Sequence, residues 1–484
     1  MIIGKLGFGK DDFFYGMELC LHKAGRTAFA VTPQTAAVVD VLLVTMFWYR
    51  DVYNYEHFRR QAGIQKGSRK PVVIAGGMQV TATPELISQF VDYVFIGDAD
   101  DDLAKIIEQL EKGEEPVSPF LLTEAATSIP LPAERDPIPF AMSKGGRKDV
   151  VRIEIARGCK YRCNFCMLAH LKPYREVAAE DIIKLLQEHP GKSVSCFAPD
   201  RTSHSQWDEI CAALKRLKKN DVSQDSRLEK IDQVVGSSVT FGLEGMSYRL
   251  RKGVRKGYKN EFVLEMMEKF LTRPDVRIGR IAVYFIADLP GESEEDFAEL
   301  INLFQEIEKA DWSRRLVLTP ILNPLSPKKF TDYHGLTIHP FRPYGERWNE
   351  VLRKGGGQWG FRIVETLVWG PYKRVADVIV QNGGAAAAAL IKELPDKFFT
   401  SSPPLARQEE LAWKLYDRAV SHYQLPLNAS LQKDWEGVDF QGAVQEAKDR
   451  AADARKLSAK WRHFESEKEE ALPLLAVKNE QKLN

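Results

Sequence analysis

Apolar residues in the first 113 positions fall into short runs separated by mixed stretches, and the runs read as strands and helices in turn. Met1 to Leu6 predicts a strand. Asp11 to Lys23 has helical spacing with an acidic start and ends at Gly25. Thr27 to Thr32 reads as a short strand. Asp40 to Trp48 is almost continuously apolar, as a strand buried on both faces would be. Tyr53 to Ala62 predicts a helix, Pro71 to Ala75 a strand, Pro84 to Phe90 a helix, Tyr93 to Ile96 a strand and Asp100 to Lys112 a closing helix. Such alternation implies an α/β unit with an open, doubly wound parallel sheet. Ligands of such sheets lie at the C-terminal ends of the strands, where Gly76, Gly77 and Gly97 stand.

Residues 114–149 carry Pro116, Pro119, Pro130, Pro132, Pro137 and Pro139 and read as an extended linker. From 150 to 340 strand and helix patterns alternate again. Val150 to Ala156 is a strand, Ala178 to His189 an amphipathic helix, and Ser193 to Asp200 a strand with its exit loop. Leu228 to Gly236 leads into a third strand; Arg280 to Ala287 and Leu316 to Pro320 are later ones. Residues 341–484 show helical spacing over Ala385 to Leu394, Gln408 to Tyr423 and Asp439 to Lys468, and are expected to form a lid over a substrate pocket.

The chemistry concentrates in one loop. Cys159, Cys163 and Cys166 follow the strand of Val150 to Ala156 at spacing C-x3-C-x2-C, and they are half of the six cysteines in the chain. Thiolates suit zinc or iron–sulfur clusters. Zinc usually takes four protein ligands, with His170 the nearest candidate for the fourth. Three thiolates without a fourth ligand suit a 4Fe–4S cluster with one open iron. Cys20, Cys196 and Cys211 stand singly and give no disulfide framework, which argues for a reducing, cytoplasmic compartment. The 484 residues carry 68 basic and 67 acidic side chains, a net charge of +1, so total charge gives no reason to expect nucleic acid or an anionic membrane. No signal peptide or spanning apolar run is read.

The cysteine spacing, with Phe165 before the last cysteine, resembles the signature of radical S-adenosylmethionine (radical SAM) enzymes. That resemblance implies that Cys159, Cys163 and Cys166 hold a 4Fe–4S cluster whose open iron binds SAM. It also implies a partial, open (β/α)6 barrel. Phe165 would lie beside the cofactor. Ala198-Pro199-Asp200 stands where relatives carry Gly-Gly-Glu-like residues that hold the SAM amino group, so Ala198 and Asp200 become candidates for it. Ser203, His204 and Ser205 follow, and His204 is a candidate acid or base. Thr240 to Tyr258 resembles the G-x-E-[SG]-x-S-x-R-x-L segment of the branch containing methylthiotransferases and cobalamin-dependent enzymes. Glu244 would accept from the SAM ribose, and Arg255 would approach the SAM carboxylate. Arg249, Arg251, Lys252 and Lys256 read as a solvated helix face. Asp288 stands where the family has glycine in a strand ending G-L-P-G-E-T-x-E-D, against which the adenine stacks.

Residues 1–113 resemble the Rossmann-like, cobalamin-binding domain that precedes many radical SAM cores. Ile74 to Glu85 and Val91 to Asp98 carry the resemblance, which makes Gly76, Gly77, Thr81 and Gly97 candidate cobalamin contacts. The cobalt-ligating D-x-H-x-x-G motif is absent. The expected reaction is reductive cleavage of SAM to a 5′-deoxyadenosyl radical, followed by cobalamin-dependent methylation of an unactivated carbon. Isomerisation, ring rearrangement or sulfur insertion without methyl transfer, and a non-catalytic iron–sulfur role, stay open. Expected partners are a small-molecule, peptide or modified-nucleotide substrate and a low-potential donor of the flavodoxin or ferredoxin kind.

Overall fold

The computed structural model describes residues 1–8, 15–126, 128–144, 147–189, 191, 193–334, 336, 359, 361–363, 367–368, 371–396, 398 and 405–425. The helix expected over Asp439 to Lys468 lies outside them.

The first sheet contains β1 (Ile3–Gly7), β2 (Phe29–Ala30), β3 (Val41–Thr45), β4 (Val72–Gly76), β5 (Tyr93–Phe95) and β6 (Leu121–Leu122). Its order is β2-β1-β3-β4-β5-β6, parallel except for the last pair. This is a doubly wound order whose direction reverses between β1 and β3. As the continuous apolar run requires, β3 is buried on both faces. Its Val41 and Leu43 pack with Leu21, Leu103, Ile106 and Ile107 from the helices Tyr15–Lys23 and Asp102–Glu111. Leu42 and Val44 pack on the other face with Tyr53, Tyr55 and Phe58 of the helix Tyr49–Ala62. That helix starts where it does because the Asp51 carboxylate accepts the Phe47 and Trp48 backbone N–H groups, at 2.7 and 2.9 Å.

The same face is completed by the far end of the chain. Helices Pro371–Asn382, Ala387–Glu393 and Leu405–Asp417 place Val375, Ile379, Leu390, Ile391 and Leu415 in the core of the first sheet. The described C-terminal helices therefore share the core of the N-terminal unit. Their apolar stripes read correctly as helical, but periodicity does not say which sheet they cover.

The proline-rich segment also does more than connect. It supplies β6, and β7 (Ala141–Lys144) pairs antiparallel with β8 (Arg147–Glu154). Six parallel strands then form the body of the second unit: β8, β11 (Ser193–Phe197), β12 (Asn220–Asp221), β13 (Ser238–Glu244), β14 (Gly279–Ala287) and β15 (Leu316–Pro324), and the two-residue strands Arg362–Ile363 and Leu367–Val368 extend it, both parallel to β15. Between them run the short β9 (Ala156–Arg157) and β10 (Arg175–Glu176). The half-barrels β12-β11-β8 and β13-β14-β15 meet at a parallel bridge between Asp225 and Thr240. This is an open (β/α)6 barrel. On β14, Ile281, Val283 and Phe285 pack outward under the helices, while Tyr284 on the inner face is 38% exposed. Among the described residues no helix is long and apolar enough to cross a membrane.

Candidate functional site

The cysteine loop leaves the C-terminal end of β8 through β9, and β10 closes it by pairing antiparallel with β9. Gly158, at φ +71°, allows this tight neck: a Cβ there would stand 2.2 Å from the Pro173 carbonyl oxygen. Inside the loop the Cys166 N–H donates to the Cys163 carbonyl at 3.1 Å. Cys163 is buried, and Cys159 and Cys166 are half-buried. The three thiols share one electrostatic neighbourhood. Burial, then Asp200, Cys166 and Cys163, push Cys159 up to about 12. Burial also raises Cys163, against the pull of Lys256 and Arg227. Assembling a metal centre here must therefore displace thiol protons.

His170 Nε2 lies 3.3 Å from the Cys163 carbonyl oxygen and donates to it. Among the described residues no group of His, Cys, Asp and Glu closes tightly enough to hold a metal ion. A cubane binds each thiolate through a different iron and so asks for more widely set sulfurs. The donor set, three cysteines on one loop with no fourth protein ligand among the described residues, fits that cluster. Phe165 packs against the barrel core beside it.

The other predicted residues divide. Asp200 is buried next to Cys159 and accepts from the Thr202 hydroxyl at 3.1 Å and from the Ser203 hydroxyl. Ala198 packs against the core beneath it. Both ring nitrogens of the buried His204 are engaged: Nδ1 accepts the Gln206 N–H at 3.1 Å, so Nε2 carries the proton and donates to the Val177 carbonyl at 2.9 Å.

Glu244 ends β13 at φ +67°, after a register shift in its pairing with β14. Its side chain folds back over Gly242, where a Cβ would meet Oε1 at 1.9 Å. Oε1 also receives Lys256 Nζ at 2.8 Å. Lys256 is thus part of the site and not of a solvated face. Arg251 is fully buried, whereas Arg249, which pairs with Asp296, and Lys252 are exposed as expected. Arg255 is exposed, reaches the Arg162 carbonyl at 3.1 Å, and pairs with Asp332 at 3.0 Å. It therefore braces the cysteine loop. The buried Asp288 carboxylate pairs with Arg374, while its backbone keeps φ +67°, the conformation that suits the family's glycine.

In the N-terminal unit, Gly77 and Gly97 are required by the protein's own backbone. A Cβ on Gly77 would stand 2.6 Å from the Met46 carbonyl oxygen, and one on Gly97 2.3 Å from the Ala133 N and O. Thr81 stitches the two together, donating to the Gly77 carbonyl at 3.0 Å and accepting the Gly97 N–H at 3.1 Å. Only Gly76 has open space beside it. A cavity of about 270 Å³ lies at these strand ends, lined by Phe47, Gly76, Gly77 and Gly97 on one side and by Glu154, Arg157 and Lys172 beside the cysteine loop.

Sequence reasoning missed Arg227, whose guanidinium lies 3.4 Å over the Tyr161 ring in the cysteine loop. It sits in an irregular segment where no periodicity marks it. It also missed Asp98, Asp100 and Arg157, which tie the loop to the first sheet. The adjacency of Arg157 to Gly158 and Cys159 was the available signal.

Comparison with known proteins agrees with this geometry. Residues 153–304 match the Radical SAM superfamily, and residues 40–128 match the N-terminal region of radical SAM proteins. Residues 153–304 thus form a radical SAM domain, and such a domain works with a 4Fe–4S cluster and SAM. An uncharacterized protein of Methanocaldococcus jannaschii is 24% identical over 61% of this chain and 68% of its own length. A tRNA-2-methylthio-N(6)-dimethylallyladenosine synthase of Desulforamulus reducens is 24% identical over 45% of this chain and half of its own length. The ribosomal protein uS12 methylthiotransferase RimO of Bdellovibrio bacteriovorus is 22% identical over 66% and 78%. Among solved structures, the cobalamin-dependent radical enzyme OxsB with aqua-cobalamin and SAM bound aligns over all of this chain and 80% of its own, at 12% identity and a TM-score of 0.44.

Proposed function

We propose that this chain cleaves SAM reductively and uses the resulting 5′-deoxyadenosyl radical to take hydrogen from an unactivated carbon, with cobalamin-dependent methylation of that carbon as the finer outcome. The observation that carries the radical step is the Cys159, Cys163 and Cys166 loop at the mouth of the open barrel, beside Asp200 and Glu244. Bound there, a 4Fe–4S cluster supplies the electron that breaks SAM. The three thiolates hold the cluster. Asp200 faces the place where an ammonium would stand. Glu244, once released from Lys256, offers a carboxylate to ribose hydroxyls. The barrel walls hold the reactants in line and keep water out. A low-potential flavodoxin-like or ferredoxin-like donor would supply the electron.

The methylation reading draws support from where the cavity lies, between the strand ends of the first sheet and the cysteine loop. Its size argues the other way. Pockets for drug-sized ligands run from about 300 to 1,000 Å³, and a corrin is larger than such ligands. At about 270 Å³ this cavity does not hold one as it stands. That observation favours a second reading, in which the same radical step leads to isomerisation, ring rearrangement or sulfur insertion without corrin. Cys20 alone represents cysteine in residues 1–113, which gives an auxiliary cluster in the N-terminal unit too few ligands.

The test is anaerobic reconstitution with iron, sulfide and cobalamin, followed by absorbance spectra and incubation with methyl-labelled SAM and a low-potential reductant. Corrin retention with label transfer supports methylation. A cluster and 5′-deoxyadenosine without corrin support the second reading. Intact SAM with every candidate substrate would mean a non-catalytic iron–sulfur protein.

A further inference from the structure

We infer that Asp98 and Asp100, in the N-terminal unit, are positioning residues for the cluster, holding both ends of the cysteine loop through Arg157, Lys172 and Arg175. The inference rests on the cluster reading above. Arg157 enters the loop immediately before Gly158 and Cys159. Lys172 and Arg175 leave it after Cys166. All three turn to the short segment that follows β5. Arg157 grips Asp100 with both terminal nitrogens, at 2.9 and 3.1 Å, and gives its Nε to Glu154 at 2.9 Å. Its Nη1 also stands 3.7 Å from Asp98. Asp98 pairs with Lys172, and with Arg175 at 3.3 Å. Asp98, Asp100 and Arg157 are each less than a tenth exposed.

The neck of the loop is already shaped by backbone, through Gly158 and the β9–β10 pair. The ion network adds orientation relative to the other domain. A guanidinium gripping a carboxylate with two nitrogens fixes angle as well as distance, which a lysine ammonium cannot do. The network sets Asp98, Asp100, Glu154 and, at its exposed edge, Glu134 against Arg157, Lys172 and Arg175. Burial raises the Asp98 carboxyl, but Lys172 and Arg157 outweigh it and hold it below the ordinary carboxylate range. Removing one buried carboxylate makes a low-dielectric place beside the cluster more positive by one charge. Reduction adds negative charge to the cluster, so that change favours the reduced form and raises its potential. The same two carboxylates line the cavity, so the first sheet contributes directly to the cluster's surroundings.

The test uses the full chain reconstituted anaerobically with iron and sulfide. Iron and sulfide content, circular dichroism, the midpoint potential and the electron paramagnetic resonance spectrum of the reduced cluster are measured with and without SAM. Asp100→Asn, which keeps shape and removes charge, should keep its cluster, shift the potential to a more positive value and alter the SAM-bound spectrum. Arg157→Lys, which keeps charge and loses the two-nitrogen grip, should alter the SAM-bound spectrum with little shift in potential. Asp101→Asn, beside the network but paired with Lys23 at the surface, should move neither readout. Asp98→Asn is the second variant should Asp100→Asn not fold, with the same expected shift. The inference is overturned if the Asp variants keep a full cluster with wild-type potential and spectrum. It is also overturned if Asp101→Asn shifts the potential equally, or if neither Asp98→Asn nor Asp100→Asn folds, since the carboxylates then serve the fold. A wild-type chain that takes up no cluster sinks the function reading and this inference with it; a wild-type signal with unmoved variants sinks the inference alone.

Discussion

Arg374 and Asp288 form a buried ion pair, each side chain about 1% exposed, that bolts the helix Pro371–Asn382 to the rim of the barrel. Arg374 also gives its Nε to the Leu325 carbonyl at 2.8 Å. Arg374→Met would strand the Asp288 carboxylate away from water. Breaking one side of a buried pair costs about 3–5 kcal/mol, and with both groups buried nothing discounts that figure for solvent screening. Spread over local opening of the helix, this amounts to roughly two to three and a half decades in the opening equilibrium. Adding Asp288→Gly should recover much of the loss. It removes the stranded charge, and glycine takes φ +67° without the roughly 1–2 kcal/mol that an L side chain can incur there. Hydrogen exchange of the 371–382 amides, read by mass spectrometry, measures both effects. Exchange in Arg374→Met equal to wild type would refute the reasoning. So would a double variant that exchanges as fast as Arg374→Met alone.

Replacing Cys159, Cys163 or Cys166 by alanine should lower iron and sulfide content and abolish SAM cleavage, while Cys211→Ala leaves both unchanged; metal analysis and 5′-deoxyadenosine yield check this. His204→Ala should cost about 1–3 kcal/mol of stability by leaving the Gln206 N–H and the Val177 carbonyl without their partner, with SAM cleavage per cluster intact. Burial raises the Glu176 carboxyl, but Ser205, Tyr174 and Lys160 outweigh it and bring it to about 2 from an ordinary value of 4.5. The depressed value means that the stability Glu176 contributes is full above about 4.5 and lost as pH falls toward about 2. The gap in thermal midpoint between wild type and Glu176→Gln should close over that window; a gap independent of pH would refute it. Gly97→Ala should destabilise the first sheet strongly, because its Cβ would meet the Ala133 backbone at 2.3 Å, and soluble yield together with circular dichroism would register it.

Much of the architecture was legible because apolar period and element length decide it. The run at Asp40 to Trp48 could only be a strand buried on both faces, and it became β3. The cysteine loop was legible because spacing carries its chemistry. What escaped was partnership across the fold. Lys256 looks like any surface cation until the turn of β13 brings Glu244 over Gly242 to meet it. Asp288 stood out as a departure from glycine, but its partner Arg374 lies far along the chain. His204 offered two ring nitrogens, and only local backbone geometry assigns both.

The return of helices 371–417 to the first sheet also sets an order of events at the ribosome. The strands of that sheet are complete once β6 has emerged, but one of their faces waits for helices made much later. At about 5–20 residues per second the interval is on the order of tens of seconds. During it, Leu42, Val44, Val73 and their neighbours lack part of their cover, while the barrel between is being made and can fold within its own cores. The nascent chain thus carries an open apolar face through most of its synthesis, a window in which a chaperone has something to hold and a premature stop leaves a product unable to close.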